Sequence, residues 1–255
     1  MISSRLELKA LGLFAMLVGM FAFAGTAQAE SGASWLVNGA KFAETLLPTV
    51  EAETDVKEVL LTTLGGKEVD ISCETILLVG AHLVEPNGKI LGKIIFHGCD
   101  FLTLNGGKAT LLKVCEPFVG ANKGLIETQV FTGLIKLHEE KPVLVAKPPA
   151  GGLFATINLP EECAFGEEMK IGNGENKLTK KILEAQFAWK DCKAGVSECK
   201  ESAALVDTVK HLVEELPTLT SLYVNQGETK ATIMGSAWAF LGEPHKGATF
   251  AAHAM

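Results

Sequence analysis

Turn punctuation constrains this chain more than any other feature of it. Asn-Gly occurs four times, at 38–39, 87–88, 105–106 and 173–174, and Gly-Gly occurs three times, at 65–66, 106–107 and 151–152. Both dipeptides suit the positive φ that tight hairpin turns demand, so each marks a point where an extended chain can reverse. The segments between them are short, apolar or alternating. This is the pattern of an antiparallel meander, and it speaks against a helical bundle or a parallel α/β sheet, which need helical repeats along the chain.

The individual strands follow from those turns. Thr75–Glu85 and Lys89–Phe96 flank Pro86-Asn87-Gly88 and make the clearest hairpin. Asn105-Gly106-Gly107 divides Phe101–Leu104 from Thr110–Val114. In Leu125–Leu137, Thr128, Val130 and Thr132 favour strand, and Gly133 marks a bulge or a close backbone approach. Val143–Ala146 and Leu153–Leu159 are split by Pro148-Pro149-Ala150-Gly151-Gly152, a loop because proline donates no ladder hydrogen bond. Leu183–Trp189 alternates as a half-buried strand does, and Leu222-Tyr223-Val224 with Thr229–Leu241 forms a terminal pair around Asn225-Gln226-Gly227.

One segment departs from this pattern. Ser202–Leu216 sets Leu205, Val206, Val209, Leu212, Val213 and Leu216 on one helical face before Pro217, which predicts an amphipathic helix across one end of a sheet. Its polar face carries Asp207, Lys210, Glu214 and Glu215, without the basic excess of membrane-lying helices. The expected fold is therefore all-β, an antiparallel sandwich or barrel-like domain with one amphipathic helix in its C-terminal half. A single β-rich domain is expected over residues 30–255, with a point of subdivision near 172–177.

Residues 1–29 are read as a signal peptide. Arg5 and Lys9 form a basic start, an apolar run follows from Ala10 to Gly25, and Ala27-Gln28-Ala29 supplies the small-x-small cleavage pattern. That run is shorter than the roughly 20 apolar residues that span a bilayer. The mature chain is expected to begin at Glu30, to be secreted or held in the periplasm or cell envelope, and to carry neither a lipid anchor nor a membrane span. Loss of Arg5, Glu7 and Lys9 takes the formal charge from −7 to −8. An acidic chain of this kind is not a nucleic-acid binder.

All six cysteines, at 73, 99, 115, 163, 192 and 199, lie beyond the signal, and an even number in an exported chain implies disulfides. Six cysteines allow fifteen pairings. Residue 107 is the midpoint of Cys99 and Cys115 and lies in the Asn-Gly-Gly turn, so a Cys99–Cys115 bridge is expected across that hairpin. A second local bridge is expected between Cys192 and Cys199, which leaves Cys73 for Cys163. No two cysteines have the spacing of a structural zinc site. In a strand Asp100 would face the side opposite His97 and Cys99, and a disulfide-bonded Cys99 would be no ligand; His138 beside Glu139 and Glu140 reads as a polar strand end.

Trp35-Leu36-Val37-Asn38-Gly39 after the signal, an apolar strand into Cys73, Gly98-Cys99, Cys115, Gly124–Thr128 and Gly133-Leu134 form a spaced pattern. The Ala237-x-Ala239-x-Leu241-Gly242-Glu243 stretch, with Gly247–Phe250 after it, continues the pattern. Together these resemble uncharacterised secreted, cysteine-containing, β-rich bacterial proteins of the actinobacterial type. The resemblance implies an exported, disulfide-bonded envelope or extracellular protein, and it carries over no catalytic residue.

Motifs for enzyme chemistry are missing from the sequence. There is no nucleophile elbow, no zinc helix and no phosphate loop, and no cofactor is expected. The adjacent glutamates at 139–140, 161–162, 167–168 and 214–215 cannot flank one glycosidic bond. The leading expectation is a non-enzymatic structural or binding protein of the envelope or extracellular space, with cell-wall glycan or protein as its partner. Trp35, Trp189, Tyr223 and Trp238 are its candidate contact aromatics, the alternative for each being core packing. A secreted hydrolase with a loop-assembled carboxylate or histidine site is the second reading. A carrier for a small apolar ligand is the third, and it requires a closed barrel with an empty interior.

Overall fold

Asn38-Gly39, Gly65-Gly66, Asn87-Gly88 and Gly106-Gly107 lie in turns, which set the length of the strands between them. The computed structural model describes residues 33–43, 46–138, 141–149, 152–172, 185–191, 203–208, 222–224 and 229–253. Among these residues the regular elements are eighteen β-strands and one 3-10 turn, Lys113–Cys115. Every strand pairing is antiparallel. The all-β expectation therefore holds.

Three long strands form the backbone of the fold: β3 (Val50–Leu64), β4 (Lys67–Val84) and β5 (Lys89–Asn105). β3 turns into β4 at Gly65-Gly66, and β4 turns into β5 at Glu85–Gly88, where Asn87 and Gly88 both take positive φ, 81° and 57°. β5 continues through Gly106-Gly107 into β6 (Lys108–Leu111). The expected strand over 125–137 is broken into β9 (Leu125–Glu127) and β10 (Phe131–His138), both paired with β5. β10 turns into β11 (Lys141–Lys147), with His138 opposite Lys141. β14 (Ala185–Asp191) adds to β11, and β15 (Ala203–Thr208) adds to β14. β17 (Thr229–Leu241) then pairs with β15 on one side and β3 on the other.

That last pairing closes a ring. Its order is β3-β4-β5-β10-β11-β14-β15-β17 and back to β3, an antiparallel barrel of eight strands. Barrels of this strand number enclose an interior that side chains fill or that holds one small ligand. A branch leaves the ring at the Thr229 end of β17, through β16 (Leu222–Val224), β13 (Glu168–Ile171) and β12 (Ala155–Asn158). It continues into β7 (Phe118–Val119) and β8 (Asn122–Lys123). A bridge between Thr128 and Ala155 ties the branch back to β9. A separate three-stranded sheet is ordered β18 (Phe250–His253), β1 (Ser34–Val37) and β2 (Ala40–Lys41).

The expected helix is corrected. Its described part is strand β15, because an extended backbone there gains two ladders, five residue pairs with β14 and six with β17. A helix would forfeit both, and tertiary pairing outweighs a local periodic pattern. The remainder of that segment, 202 and 209–216, lies outside the described residues, as do 173–177 of the expected subdivision point.

The disulfide pairing is corrected as well. Cys73 bonds Cys99, and Cys115 bonds Cys163, with S–S distances of 2.10 and 2.11 Å. The β5–β6 hairpin exists, but its register sets Asn105 opposite Lys108 and Leu102 opposite Leu111, which would carry Cys99 toward residue 114. The ladder stops at Leu111, and the 3-10 turn takes Cys115 away from Cys99. Cys99 instead lies directly opposite Cys73 in the β4–β5 ladder. Cys192 and Cys199 lie outside the described residues.

Two buried clusters occupy the interior and leave a space between them. One gathers Val69, Ile71, Phe101, Ile157 and Met169 with the four bonded cysteines. The other joins Trp35 and Phe250 of the small sheet to Val50, Leu83, Ile90, Ile135, Leu144 and Leu241, contributed by β3, β4, β5, β10, β11 and β17. The small sheet therefore plugs one end of the barrel. Gly133 shows the close approach expected of it: a Cβ there would lie 2.4 Å from Ile90 Cγ2 and 2.8 Å from Leu144 Cδ1.

Candidate functional site

Between the two clusters the barrel holds a cavity of about 160 Å³. Its wall is apolar, lined by the aliphatic Ile76, Leu78, Ile90, Ile94 and Ile233 and the aromatic Phe96, Phe131 and Phe154. The space exists because small residues occupy inward positions on several strands: Ala52, Ala146, Ala155, Ala237 and Ala239. Apolar cavities of roughly 150 Å³ stay dry and take up molecules the size of benzene, since water gains too few hydrogen bonds inside them.

Two polar residues stand in the described wall, Glu58 and Thr128. Thr128 is committed to the backbone: its Oγ1 accepts from the Ile94 amide at 2.9 Å, and its own amide donates to the Ile94 carbonyl at 2.9 Å. Glu58 is 6% exposed and sits on β3 opposite Cys73. Its carboxyl occupies space that Gly235 leaves open, for a Cβ at 235 would lie 2.6 Å from Glu58 Cδ, and Gly235 has φ of 146°.

The β3–β4 ladder ends at Glu58. It runs for seven pairs, from Leu64 opposite Lys67 to Glu58 opposite Cys73, although β3 continues to Val50 and β4 to Val84. Beyond that point β3 keeps β17 and β4 keeps β5. Thr54 Oγ1 accepts from the Ile76 amide at 2.8 Å, and an exposed Lys57–Glu74 ion pair at 3.4 Å spans the gap. Farther along, Thr49 bridges to His82. Val56 and Leu77, 57% and 46% exposed, flank the gap on its solvent side.

A second acidic group on β3 has a structural duty. Asp55 lies at a bulge where the β3–β17 register shifts, and it accepts from Ser236 Oγ at 2.8 Å and Trp238 Nε1 at 3.0 Å. Two of the four candidate contact aromatics are thus accounted for by packing. Trp238 is 6% exposed and Trp35 is fully buried. Trp189 lies opposite Val206 and Tyr223 opposite Lys230, and their side chains lie outside the described residues. Cys99, bonded to Cys73, is removed as a metal ligand, and no cluster of three or more metal-ligating side chains occurs among the described residues.

Asp70, on β4 between Leu61 and Leu102, has its pKa raised above the ordinary 3.8 by burial. Its Oδ1 is buried without a hydrogen-bond partner among the described residues. A raised folded-state pKa means that the contribution of this group is fully present below the unfolded value and is lost as pH rises past it. Asp70→Asn is accordingly expected to raise the melting temperature at pH 7 by about 2 °C, with the gain vanishing near pH 3. Thermal unfolding of both proteins at the two pH values checks this, and equal gains at both would contradict it.

The fold and cavity together define a class, an antiparallel β-barrel plugged at one end around an apolar interior. Compared with family models, curated proteins and solved structures, the chain matches none of them. Neither Glu58 nor the alanines stand out in the sequence, because nothing local distinguishes a cavity-facing alanine from a packed one. Ala52, Ala146, Ala237 and Ala239 come together only once the ring is closed, and Ala155 joins them from β12 of the branch.

Proposed function

We propose that this is an exported, non-enzymatic binding protein that holds a small apolar molecule inside its barrel. The observation that carries the reading is the apolar cavity kept open by five alanines in its wall. Export is supported by the basic, apolar and small-x-small pattern of residues 1–29 and by the two disulfides, which persist in oxidising compartments. No helix among the described residues is long and apolar enough to cross a membrane. A glycan-binding face would use exposed aromatics, and Trp35 and Trp238 are buried. Hydrolysis would need two carboxylates across the bond, and the described wall of the cavity offers Glu58 alone.

The test is calorimetric titration with 1-octanol of protein purified from the medium, its intact mass starting at Glu30. At about 0.8 kcal/mol per buried methylene, less the cost of association, a dissociation constant on the order of 0.1 mM is expected. Ala237→Phe, which fills the cavity, is expected to weaken binding by about tenfold or more while the β-type circular dichroism persists. Ala146→Leu serves the same purpose with a smaller side chain. Absence of binding to the unaltered protein, or equal binding by folded variants, would overturn the reading.

A further inference from the structure

Ladder hydrogen bonds seal the wall of a barrel, and between β3 and β4 the ladder is interrupted. Glu58 pairs with Cys73 and Thr49 with His82, while the residues between these points, 50–57 and 74–81, form no backbone pair with each other. Their number is equal on the two strands, so the strands part and rejoin in one register and leave a slit closed at both ends. Each bordering strand is bent by an irregularity in its other ladder, at Met234–Ala237 opposite β3 and between Val79 and His82 on β4. The hydrogen bond from the Ile76 amide to Thr54 Oγ1 divides the slit. Toward Cys73 the Lys57–Glu74 ion pair spans it. Toward His82 it is bordered by residues 50–53 and 78–81, and a Cβ added at Gly80 would meet no atom within 4 Å.

The slit reaches the cavity, because Val50, Ala52, Ile76 and Leu78 from its two edges also line the cavity wall. Its solvent side carries the exposed Val56 and Leu77. Resting on the reading of the cavity as a binding site, we infer that its ligand is a single-chain amphiphile whose alkyl tail enters through this slit and whose polar head stays outside it. The apolar side chains of both edges give the tail a continuous path from solvent to cavity. Strands pinned at both ends favour one slender chain over a bulky ring system. The head meets the slit edge, where backbone groups without ladder partners take hydrogen bonds from water or from a polar ligand. Its size is not limited by the cavity, since the space of about 160 Å³ has to hold the tail alone. An enclosed ligand would instead have to be compact and to give up the hydration of any polar group it carried.

Two molecules with one tail and different heads test this. 1-Octanol and n-octyl glucoside, the latter below its micelle concentration, are titrated calorimetrically into the full mature protein. The sugar is too large to enter the cavity beside the tail, so an enclosed site excludes octyl glucoside. The slit is expected to admit it with an affinity within about tenfold of that for octanol. The two molecules are expected to compete for one site, and Ala237→Phe, which fills the cavity, is expected to weaken both. Ala52→Leu, which adds bulk at the slit, is expected to weaken octyl glucoside about tenfold and octanol less than about threefold. If octanol binds and octyl glucoside does not, or if both bind without competing, the slit inference falls while the cavity reading stands. Equal weakening of the two by a folded Ala52→Leu protein also overturns it. If neither molecule binds, both readings fall. Competition on the unaltered protein decides the matter if Ala52→Leu does not fold.

Discussion

Replacing Cys115 and Cys163 together by alanine is expected to lower the unfolding free energy by about 4 kcal/mol, the entropic value for a bridge of this span. The bond closes a loop of 48 residues in sequence, and both half-cystines are buried, at 0% and 5% exposure. Its position adds a structural reason for a large effect. The branch of the fold that carries β12 and β13 meets its surroundings through few backbone links, Asn158 with Phe118, Thr128 with Ala155, Ile171 with Val224 and the Gln129 amide donating to the Phe154 carbonyl. Without the bond, those links and the packing of the shared core must hold the wall formed by Ala155, Ile157 and Ile171 against the cavity. Urea denaturation should show the loss, and octanol binding should weaken with it. A decrease below about 1 kcal/mol would mean that the branch is held by contacts other than this bond, because that lies under the usual 2–4 kcal/mol range.

The Cys73–Cys99 bond is a useful contrast. Its span is 26 residues, and it lies within a fourteen-pair ladder, so the strands it joins remain registered when it is removed. Its hairpin was legible in the sequence, but its pairing was not. The turn at Glu85–Gly88 sets Val84 opposite Lys89, a register that would bring Cys73 opposite Asp100, and the irregularity between Val79 and His82 shifts the ladder so that Cys73 meets Cys99. The hairpin at 105–107 has no such shift: Leu102 opposite Leu111 carries Cys99 toward residue 114, and in a strand one residue reverses the face of every side chain. The Cys115–Cys163 bond joins the 3-10 turn to the loop after β12, and no turn relates those two positions.

Strand existence was legible because glycine and asparagine punctuate it. Ring closure was not, because closure depends on β15 taking two partners, and the helical spacing of Leu205, Val206 and Val209 pointed elsewhere. The cavity shares that limitation. Ala237 and Ala239 read as ordinary strand positions, and only the fold brings them into one cavity wall with Ile76, Leu78 and Ile94. Glu58 was lost among the acidic residues of β3, since its burial follows from the bulge near Asp55 and from Gly235 on the adjacent strand.

Trp35→Ala is expected to cost about 4 kcal/mol, within the range for deleting a large aromatic from a core. Trp35 is fully buried, it packs against Phe250 with ring centroids 6.2 Å apart, and its Nε1 donates to the Lys89 carbonyl at 2.7 Å. Its amide donates to the Glu85 carboxylate, so side chain and backbone both fasten the small sheet to the β4–β5 turn. The cluster around it draws residues from six barrel strands, which makes Trp35 the plug at that end of the barrel. Trp35→Phe separates the two contributions. It keeps most of the apolar packing and removes the indole donor, so a loss of about 1–3 kcal/mol is expected, from the missing hydrogen bond and a poorer fit. Urea denaturation of the three proteins measures the difference. If Trp35→Ala unfolds at the same denaturant concentration as the unaltered protein, the small sheet does not close the barrel. If stability falls while octanol binding is unchanged, the plug supports the fold without bounding the ligand site. Loss of both places the plug and the cavity in one cooperative unit, as the shared residues Val50, Ile90, Leu144 and Ala239 require.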